Sequence, residues 1–193
     1  VAPPHFYTNR DLPENFLQRR AAALDTVSSL GDGYPKIIPG AEVSYFSGIS
    51  CSDVMGKFQL GASGLLLVEM PFCPWTKGIV QDVRNLSQNL GLTPVLAHVN
   101  RYRHRKQLPR YMDMLLENGV LFQCNAEVFL SKWTQRWALK LLASGCIHFL
   151  GSDTHNLTTR PPNLQQAARV ITEKLGTDVL DKITAFSKNI LKL

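Results

Sequence analysis

The 193-residue sequence lacks any apolar run long enough to cross a bilayer, and its four cysteines form no CxxC pair. The first absence excludes a membrane-spanning protein, and the second excludes a CxxC zinc or redox motif. Three of the cysteines lie in or beside apolar runs, as reduced core thiols do, which favours a cytoplasmic protein. No initiator Met, signal peptide or transit segment opens the sequence, so we expect a piece of a longer protein.

With 45% hydrophobic residues, the chain has enough apolar material for a sizeable core, and residues 1–193 are predicted to form one globular domain. The formal charge of +6 and the isoelectric point near 9.3 are compatible with phosphorylated substrates, nucleic acid or a membrane surface. Charge alone does not choose among these partners, and the oligomeric state is not predicted.

Short apolar runs alternate with helical patterns along the chain, and most of the helical patterns end at a glycine. Strands are predicted at residues 37–45, 65–70, 93–99, 120–125 and 147–150. Helices are predicted at residues 13–30 and 79–90, through 111–116, at 133–141 with Trp133 and Trp137 on one stripe, and at 163–175. This order predicts βα units and an α/β fold built on parallel strands.

Polar residues recur where the predicted strands end, at intervals of 27 to 29 residues. They are Glu69, His98, Asn125 and Asp153. Because active sites of parallel α/β proteins are built at the carboxyl ends of the strands, we expect these side chains and His155 to converge on one face.

Each candidate has a second interpretation. Glu69 lies in an apolar run, so it is either a metal ligand or a member of a buried salt bridge. The same two interpretations apply to Glu42. Taken alone, His98 is more typical of a core histidine. Asp153 and His155 point the same way if the chain is extended, but the aspartate could instead cap the next helix beside a surface histidine.

Carboxylates and imidazoles without cysteine favour Mn, Fe or Zn in a multinuclear hydrolytic site, for which phosphate ester hydrolysis is natural chemistry. Arg101 and Arg160 follow the strand-end residues in loops where a guanidinium could grip phosphate, although solubilising surface arginines are the alternative. His104 is predicted to be solvated, and His148 to be a core residue.

Several segments together resemble the bacterial manganese-dependent protein-tyrosine phosphatases of capsular and exopolysaccharide biosynthesis, which belong to the polymerase and histidinol phosphatase (PHP) superfamily. The similar segments are APPHFY (2–7), PGAEVSY (39–45), LLLVEMPF (65–72), AHVNRY (97–102), QCNAEV (123–128) and GSDTHNLTTRPP (151–162). The resemblance spans nearly the whole chain and implies a PHP-type distorted (β/α)7 barrel with a metal cluster, most often Mn²⁺, at the carboxyl end of the strands.

The same resemblance implies the roles of particular residues. Metal ligation falls to His5, Glu42, Glu69, His98, Asp153 and His155. Arg101 and Arg160 match the phosphate-binding arginines of the family, and the implied reaction is hydrolysis of phosphotyrosine by a metal-activated water. The implied substrate is the tyrosine-rich tail of a membrane-anchored bacterial tyrosine kinase.

Two departures from the family pattern stand out. Val99 and Asn100 replace a Pro-Glu pair beside His98, and no His-x-His strand precedes His5. Because that strand supplies ligands and closes the barrel, we expect a barrel that lacks its first strand and weak or absent phosphatase activity in this chain.

Three other functions remain open from the sequence. A PHP phosphoesterase could act on a small substrate such as histidinol phosphate, and a non-catalytic remnant could bind a partner through the intact outer surface. A nucleic-acid binder could use Arg101, Arg103, Arg105, Lys106 and Arg110, but the position of this run near the strand-end residues favours phosphate recognition, so no nucleic acid is expected.

Overall fold

The computed structural model describes residues 1–29, 31, 33, 35–104 and 108–192. The chain divides into two compact units, Val1–Val95 and Leu96–Leu193, and the prediction that residues 1–193 form one domain stays a prediction. In both units strands alternate with helices, as the sequence predicts. No helix in the described part of the chain is long and apolar enough to cross a membrane.

The first unit contains parallel strands that follow one another in chain order. Its elements are β1 (His5–Phe6), α1 (Pro13–Ser28), β2 (Glu42–Ser44), β3 (Leu65–Glu69) and α2 (Lys77–Leu90), and β4 (Thr93–Leu96) ends at the boundary of the unit. β1 pairs with β2 and β2 with β3, both in parallel. All five residues of β3 are buried, as expected of a strand that is covered on both faces.

Aromatic packing stabilises the first unit, and a side-chain cap begins α2. The rings of Phe6, Phe16 and Phe58 contact one another at centroid distances of 4.5 to 5.3 Å. At the start of α2 the Thr76 hydroxyl accepts a hydrogen bond from the backbone N–H of Ile79, at 3.3 Å.

The second unit is richer in helix. It contains α3 (Leu108–Glu117), β5 (Leu121–Asn125), α4 (Glu127–Leu130), α5 (Gln135–Ala143), β6 (Phe149–Gly151), α6 (Leu164–Leu175) and α7 (Thr177–Leu191). β5 pairs in parallel with β6, and Asn125, the last residue of β5, lies opposite Gly151. Phe122 of β5 and Ile171 of α6 are among the fully buried residues of this unit.

The structure differs from the predicted elements in several places, among them β4, which ends at Leu96 before a 3-10 helix, Val99–Tyr102, instead of reaching residue 99. Trp133 precedes α5 instead of belonging to it, because the Thr134 hydroxyl donates to the carbonyl of Val128 at 2.7 Å and stabilises a turn there. α7 was not predicted. The predicted loop at residues 46–63 contains two 3-10 helices, Ile49–Cys51 and Asp53–Phe58.

The prediction of three core thiols is confirmed for Cys124 and does not hold for the other three cysteines. Cys51 and Cys73 are exposed, whereas Cys124 is buried, and burial raises the pKa of its thiol to about 12. Three predicted positions lie outside the described residues. They are Leu30 at the end of the first predicted helix, and Arg105 and Lys106 of the basic run.

Candidate metal and phosphate site

The first unit places three predicted ligands on one face of its strands. His5 lies opposite Glu42 in the β1–β2 pairing, and Glu69 lies two residues beyond Leu67, the partner of Glu42. Since side chains two apart on a strand share a face, His5, Glu42 and Glu69 form a diagonal row. His5 Nε2 is 3.6 Å from Glu42 Oε1, and carboxylate oxygens of the two glutamates lie within 4.8 Å of each other.

This donor set fits a divalent cation. Glu42 and Glu69 are each only 7% exposed, and two buried carboxylates side by side are unfavourable unless a cation compensates their charge. Oxygen and imidazole ligands suit Mn²⁺, Fe²⁺ and Zn²⁺ alike, so the residues support a metal without choosing which one.

A carboxylate on α2 holds the loop that follows Glu42. The two oxygens of Asp82 accept hydrogen bonds from the backbone N–H of Gly48 at 2.9 Å, the Ser50 hydroxyl at 2.5 Å and the Tyr45 hydroxyl at 3.2 Å. Burial, with the negative charge of Asp82, raises the pKa of Tyr45 to about 12, so the phenol stays protonated and donates. This network fixes the carboxyl end of β2 on α2.

In the second unit, Asp153 is the centre of the predicted phosphate site. Its Oδ2 accepts hydrogen bonds from Arg101 at 2.6 Å, from Asn125 Nδ2 at 2.9 Å, and from Arg160. His155 Nδ1 is 3.7 Å from Asp153 Oδ1, and Arg160 Nη1 is 3.1 Å from His155 Nε2. Four residues that the sequence singled out therefore meet at the carboxylate of a fifth, Asp153.

Two strand-end residues have left-handed backbone conformations. φ is +32° at His98 and +50° at Asp153, and only one other non-glycine residue, Lys192, has a positive φ in the described part of the chain. The extended backbone under which Asp153 and His155 would point the same way is therefore absent at Asp153, although the two side chains do lie together. Such backbone strain is concentrated at functional sites, which supports a role for His98 and Asp153.

Gln123, which the predictions did not assign, connects the backbone of His98 to Asn125, and through Asn125 to Asp153. The backbone N–H of His98 donates to Gln123 Oε1, and Gln123 Nε2 donates to Asn125 Oδ1 at 3.1 Å. Asn125 in turn contacts Asp153. Asn100, noted as a departure from the family pattern, accepts from the backbone N–H of Asn125 at 3.0 Å, so it stabilises the end of β5.

The loop that carries Arg160 is organised by Asn156. Its Oδ1 accepts hydrogen bonds from the backbone N–H groups of Thr158, Thr159 and Arg160 at 2.7 to 3.1 Å. The backbone N–H of His155 closes the loop by donating to the carbonyl of Arg160 at 3.1 Å. The Asp-x-His-Asn run in the sequence could have indicated this role of Asn156, because asparagine side chains commonly form such turns.

The remaining histidines occupy the predicted environments in part. His104 is exposed, as predicted. His148 is half-buried and precedes β6, and its Nδ1 accepts from the backbone N–H of Phe122 at 3.1 Å. Burial lowers the pKa of His148, which favours the neutral imidazole that this hydrogen bond needs.

Comparison with known proteins decides the family. Residues 1–192 match the family model described as capsular polysaccharide synthesis, CpsB/CapC. The chain belongs to this family. It is 30% identical over 179 residues to the tyrosine-protein phosphatase CpsB of Streptococcus pneumoniae, covering 86% of this chain and 69% of that protein. It is 27% identical over 199 residues to the tyrosine-protein phosphatase YwqE of Bacillus subtilis, covering all of this chain and 77% of that protein.

A solved structure confirms the fold. The CpsB/CapC chain matches a structure from the pair YwqE of B. subtilis and CpsB of S. pneumoniae, described as unique metal-dependent tyrosine phosphatases, with a TM-score of 0.84. The match has 23% sequence identity and covers all of this chain and 79% of the solved one. The predicted α/β fold of PHP type is therefore confirmed, and the family resemblance stated from the sequence motifs is confirmed as well.

Proposed function

We propose that this CpsB/CapC family member is a metal-dependent phosphatase that hydrolyses phosphotyrosine in proteins. Family membership supports the reaction class, and the observation that carries the proposal for this chain is the convergence of Arg101, Arg160, Asn125 and His155 on Asp153. Two guanidinium groups around one carboxylate leave an excess of positive charge, which attracts a phosphate dianion.

The two arginines have the geometry to hold a phosphoryl group. Each guanidinium has five N–H donors, so Arg101 and Arg160 can keep their bonds to Asp153 and still donate to phosphoryl oxygens. Asp153 positions both cations, and the loop bonds of Asn156 limit the movement of Arg160. Charge that develops on the phosphoryl oxygens in the transition state is thereby met by donors that are already oriented.

His5, Glu42 and Glu69 of the first unit, and His98, Asp153 and His155 of the second, are the proposed metal ligands. Mn²⁺ is the proposed metal, in a multinuclear centre. When bound, it would stabilise charge on the phosphoryl group and make water more acidic. The left-handed conformations of His98 and Asp153 and the burial of the two glutamates support these assignments.

The proposed substrate is the phosphotyrosine tail of a membrane-anchored bacterial tyrosine kinase, and the proposed location is the cytoplasm. Streptococcal CpsB carries the name of a tyrosine-protein phosphatase, which supports phosphotyrosine proteins as the substrate class. The excess of basic residues in the chain, with a formal charge of +6, suits an anionic peptide.

The test combines metal content with turnover. Protein purified without chelator is analysed for bound metals, and hydrolysis of a phosphotyrosine peptide is followed as Mn²⁺ is added. We expect bound metal and weak turnover that Mn²⁺ supports, and we expect Asp153→Ala to lose both. Asp181→Ala, a change of an exposed carboxylate on α7, is the matched control and should keep both.

Two results would overturn the proposal. Preference for histidinol phosphate or nucleotides over the phosphotyrosine peptide would make the chain a small-substrate phosphoesterase. Bound metal without turnover on any phosphate ester would favour a non-catalytic partner-binding protein. Unchanged metal content in Asp153→Ala would contradict the ligand assignment separately from the reaction.

A further inference from the structure

The turn between α4 and α5 holds a tryptophan almost entirely in solvent. Trp133 is 96% exposed, more than any other large apolar residue in the described part of the chain, and Leu130 beside it is 36% exposed. Tryptophan normally contributes a large apolar area to a core or an interface. Its presentation to water indicates that the contact surface of Trp133 lies outside this chain.

A network of hydrogen bonds imposes this exposure. The backbone N–H groups of Thr134 and Gln135 both donate to the carbonyl of Ser131, at 3.1 and 2.9 Å. The buried Thr134 hydroxyl donates to the carbonyl of Val128, and Gln135 Nε2 donates to the carbonyl of Phe129 at 2.8 Å. The turn is thus anchored on α4, and Trp133 is displayed by an ordered scaffold.

Positive charges lie before and after Trp133 in the sequence. Lys132, Arg136 and Lys140 are exposed and lie four residues apart, so the two on α5 share one face of that helix. The buried residues of α5, Ala138 and Leu142, lie on the opposite face.

Opposite charge is missing from this part of the sequence. Residues 128–152 contain no aspartate or glutamate. Within the part of the chain that the structure describes, none of the three cations forms an ion pair. The three charges are therefore available to an external anionic partner. We call Leu130, Lys132, Trp133, Arg136 and Lys140 the Trp133 surface.

We propose that the Trp133 surface is a peripheral contact with an anionic phospholipid membrane. An indole has an apolar body with one polar N–H, which suits the level of the lipid headgroups, and exposed lysines and arginines bind the phosphates of the same layer. A projecting side chain can insert into a membrane because the lipid headgroups rearrange around the side chain. A protein partner would need a preformed pocket for it. Charge complementarity and the shape of the display thus favour lipid.

This inference concerns a surface and a ligand other than those of the phosphatase site, and its test measures binding instead of turnover. The full chain is sedimented with vesicles of phosphatidylcholine, or of phosphatidylcholine mixed with phosphatidylserine, at low and high salt. We expect binding to the mixed vesicles that weakens with salt, and a shift of tryptophan emission to shorter wavelength on binding.

Variants of single residues assign the effect to the Trp133 surface. Lys132→Gln and Arg136→Gln should each lower the partition coefficient about fivefold, which corresponds to about 1 kcal/mol per basic residue. Trp133→Phe should abolish the emission shift, and Trp133→Ser should lower partitioning about tenfold through the loss of apolar contact. Lys182→Gln, at an exposed position on α7, is the matched control and should bind like the unchanged chain.

Equal partitioning of Trp133→Ser and the unchanged chain would overturn the proposal, and so would failure of the unchanged chain to bind the mixed vesicles. A third result would reassign the surface. If Trp133→Ser weakens binding to a phosphotyrosine protein in vesicle-free solution, and vesicle binding is absent, the Trp133 surface serves a protein partner and the membrane proposal is wrong.

Discussion

Replacement of Asn156 by alanine should release the loop that carries Arg160. The alanine leaves the backbone N–H groups of Thr158, Thr159 and Arg160 without the oxygen that they now share. Each such bond contributes about 0.5 to 1.5 kcal/mol net, and exposed bonds lie at the low end. Three of them therefore give about 1.5 kcal/mol of local order, equivalent to about a tenfold change in the population of the ordered loop.

Two measurements follow this change independently. Hydrogen exchange at the amides of Thr159 and Arg160 should become about tenfold faster in Asn156→Ala. Turnover of a phosphotyrosine peptide should show a fall of similar size in kcat/KM, because Arg160 is correctly placed for less of the time. The midpoint of urea unfolding should barely change, since the loop is exposed and the core does not depend on it.

The conservative variant provides the control. Asn156→Asp keeps an acceptor oxygen at the same place, so amide protection should stay near that of the unchanged chain. Thr158→Val removes a hydroxyl that also contacts Asn156 and leaves the backbone bonds in place, and it should have a small effect. If Asn156→Ala leaves amide exchange unchanged, the loop does not depend on this side chain and our reasoning fails.

Two further predictions concern stability. Asp82→Ala should lower the free energy of unfolding in urea by about 3 kcal/mol, because residues 45–50 lose a charged acceptor of several hydrogen bonds. Asp25→Ala, the control at an exposed carboxylate, should lower it by less than about 0.5 kcal/mol. Similar losses in the two variants would refute the role of the Asp82 network. The pKa of His148 is lowered in the folded chain, whereas in the unfolded chain it has its ordinary value of 6.5. As pH falls below 6.5, the unfolded chain therefore binds a proton at His148 before the folded chain does, and the protein should become less stable. His148→Phe should flatten this part of the stability profile measured by thermal unfolding, and an unchanged slope would contradict the assignment.

The sequence was informative wherever burial or a backbone requirement acts locally. The apolar run at residues 65–70 predicted β3 because a strand buried on both faces needs no alternation. Gly91 ends α2 with φ +65°, a conformation in which glycine is the least strained residue. Glu69, at the end of the same run, stood out because a carboxylate is costly to bury without compensation.

Contacts between distant parts of the chain could not be predicted in this way. Gln123 lies beside Asn125 in sequence, but its bond to the backbone of His98 depends on how the second unit folds. A Cβ at position 151 would lie 2.6 Å from the Gln123 amide nitrogen, so any other residue there would displace the Gln123 side chain. Neither residue type signals this partnership locally.

Periodicity was misleading at Trp133. Its spacing from Trp137 suits one helix, but periodicity does not report side-chain hydrogen bonds that stop a helix. The Thr134 hydroxyl bonds to the carbonyl of Val128, so α5 begins only at Gln135 and Trp133 lies in the exposed turn before it. Alternation along a strand likewise does not extend to Asp153 and His155, because Asp153 has a left-handed backbone.

The left-handed backbone at Asp153 also matters to anyone who would improve this protein in the laboratory. An L-residue in this conformation costs about 1 kcal/mol or more relative to glycine, and libraries screened only for heat resistance collect substitutions that recover such costs. Asp153→Gly would recover this cost, but it would also remove the acceptor of Arg101, Arg160 and Asn125 and leave the arginines of the site undirected. A library in which codons 98 and 153 are not varied would retain both residues of the site.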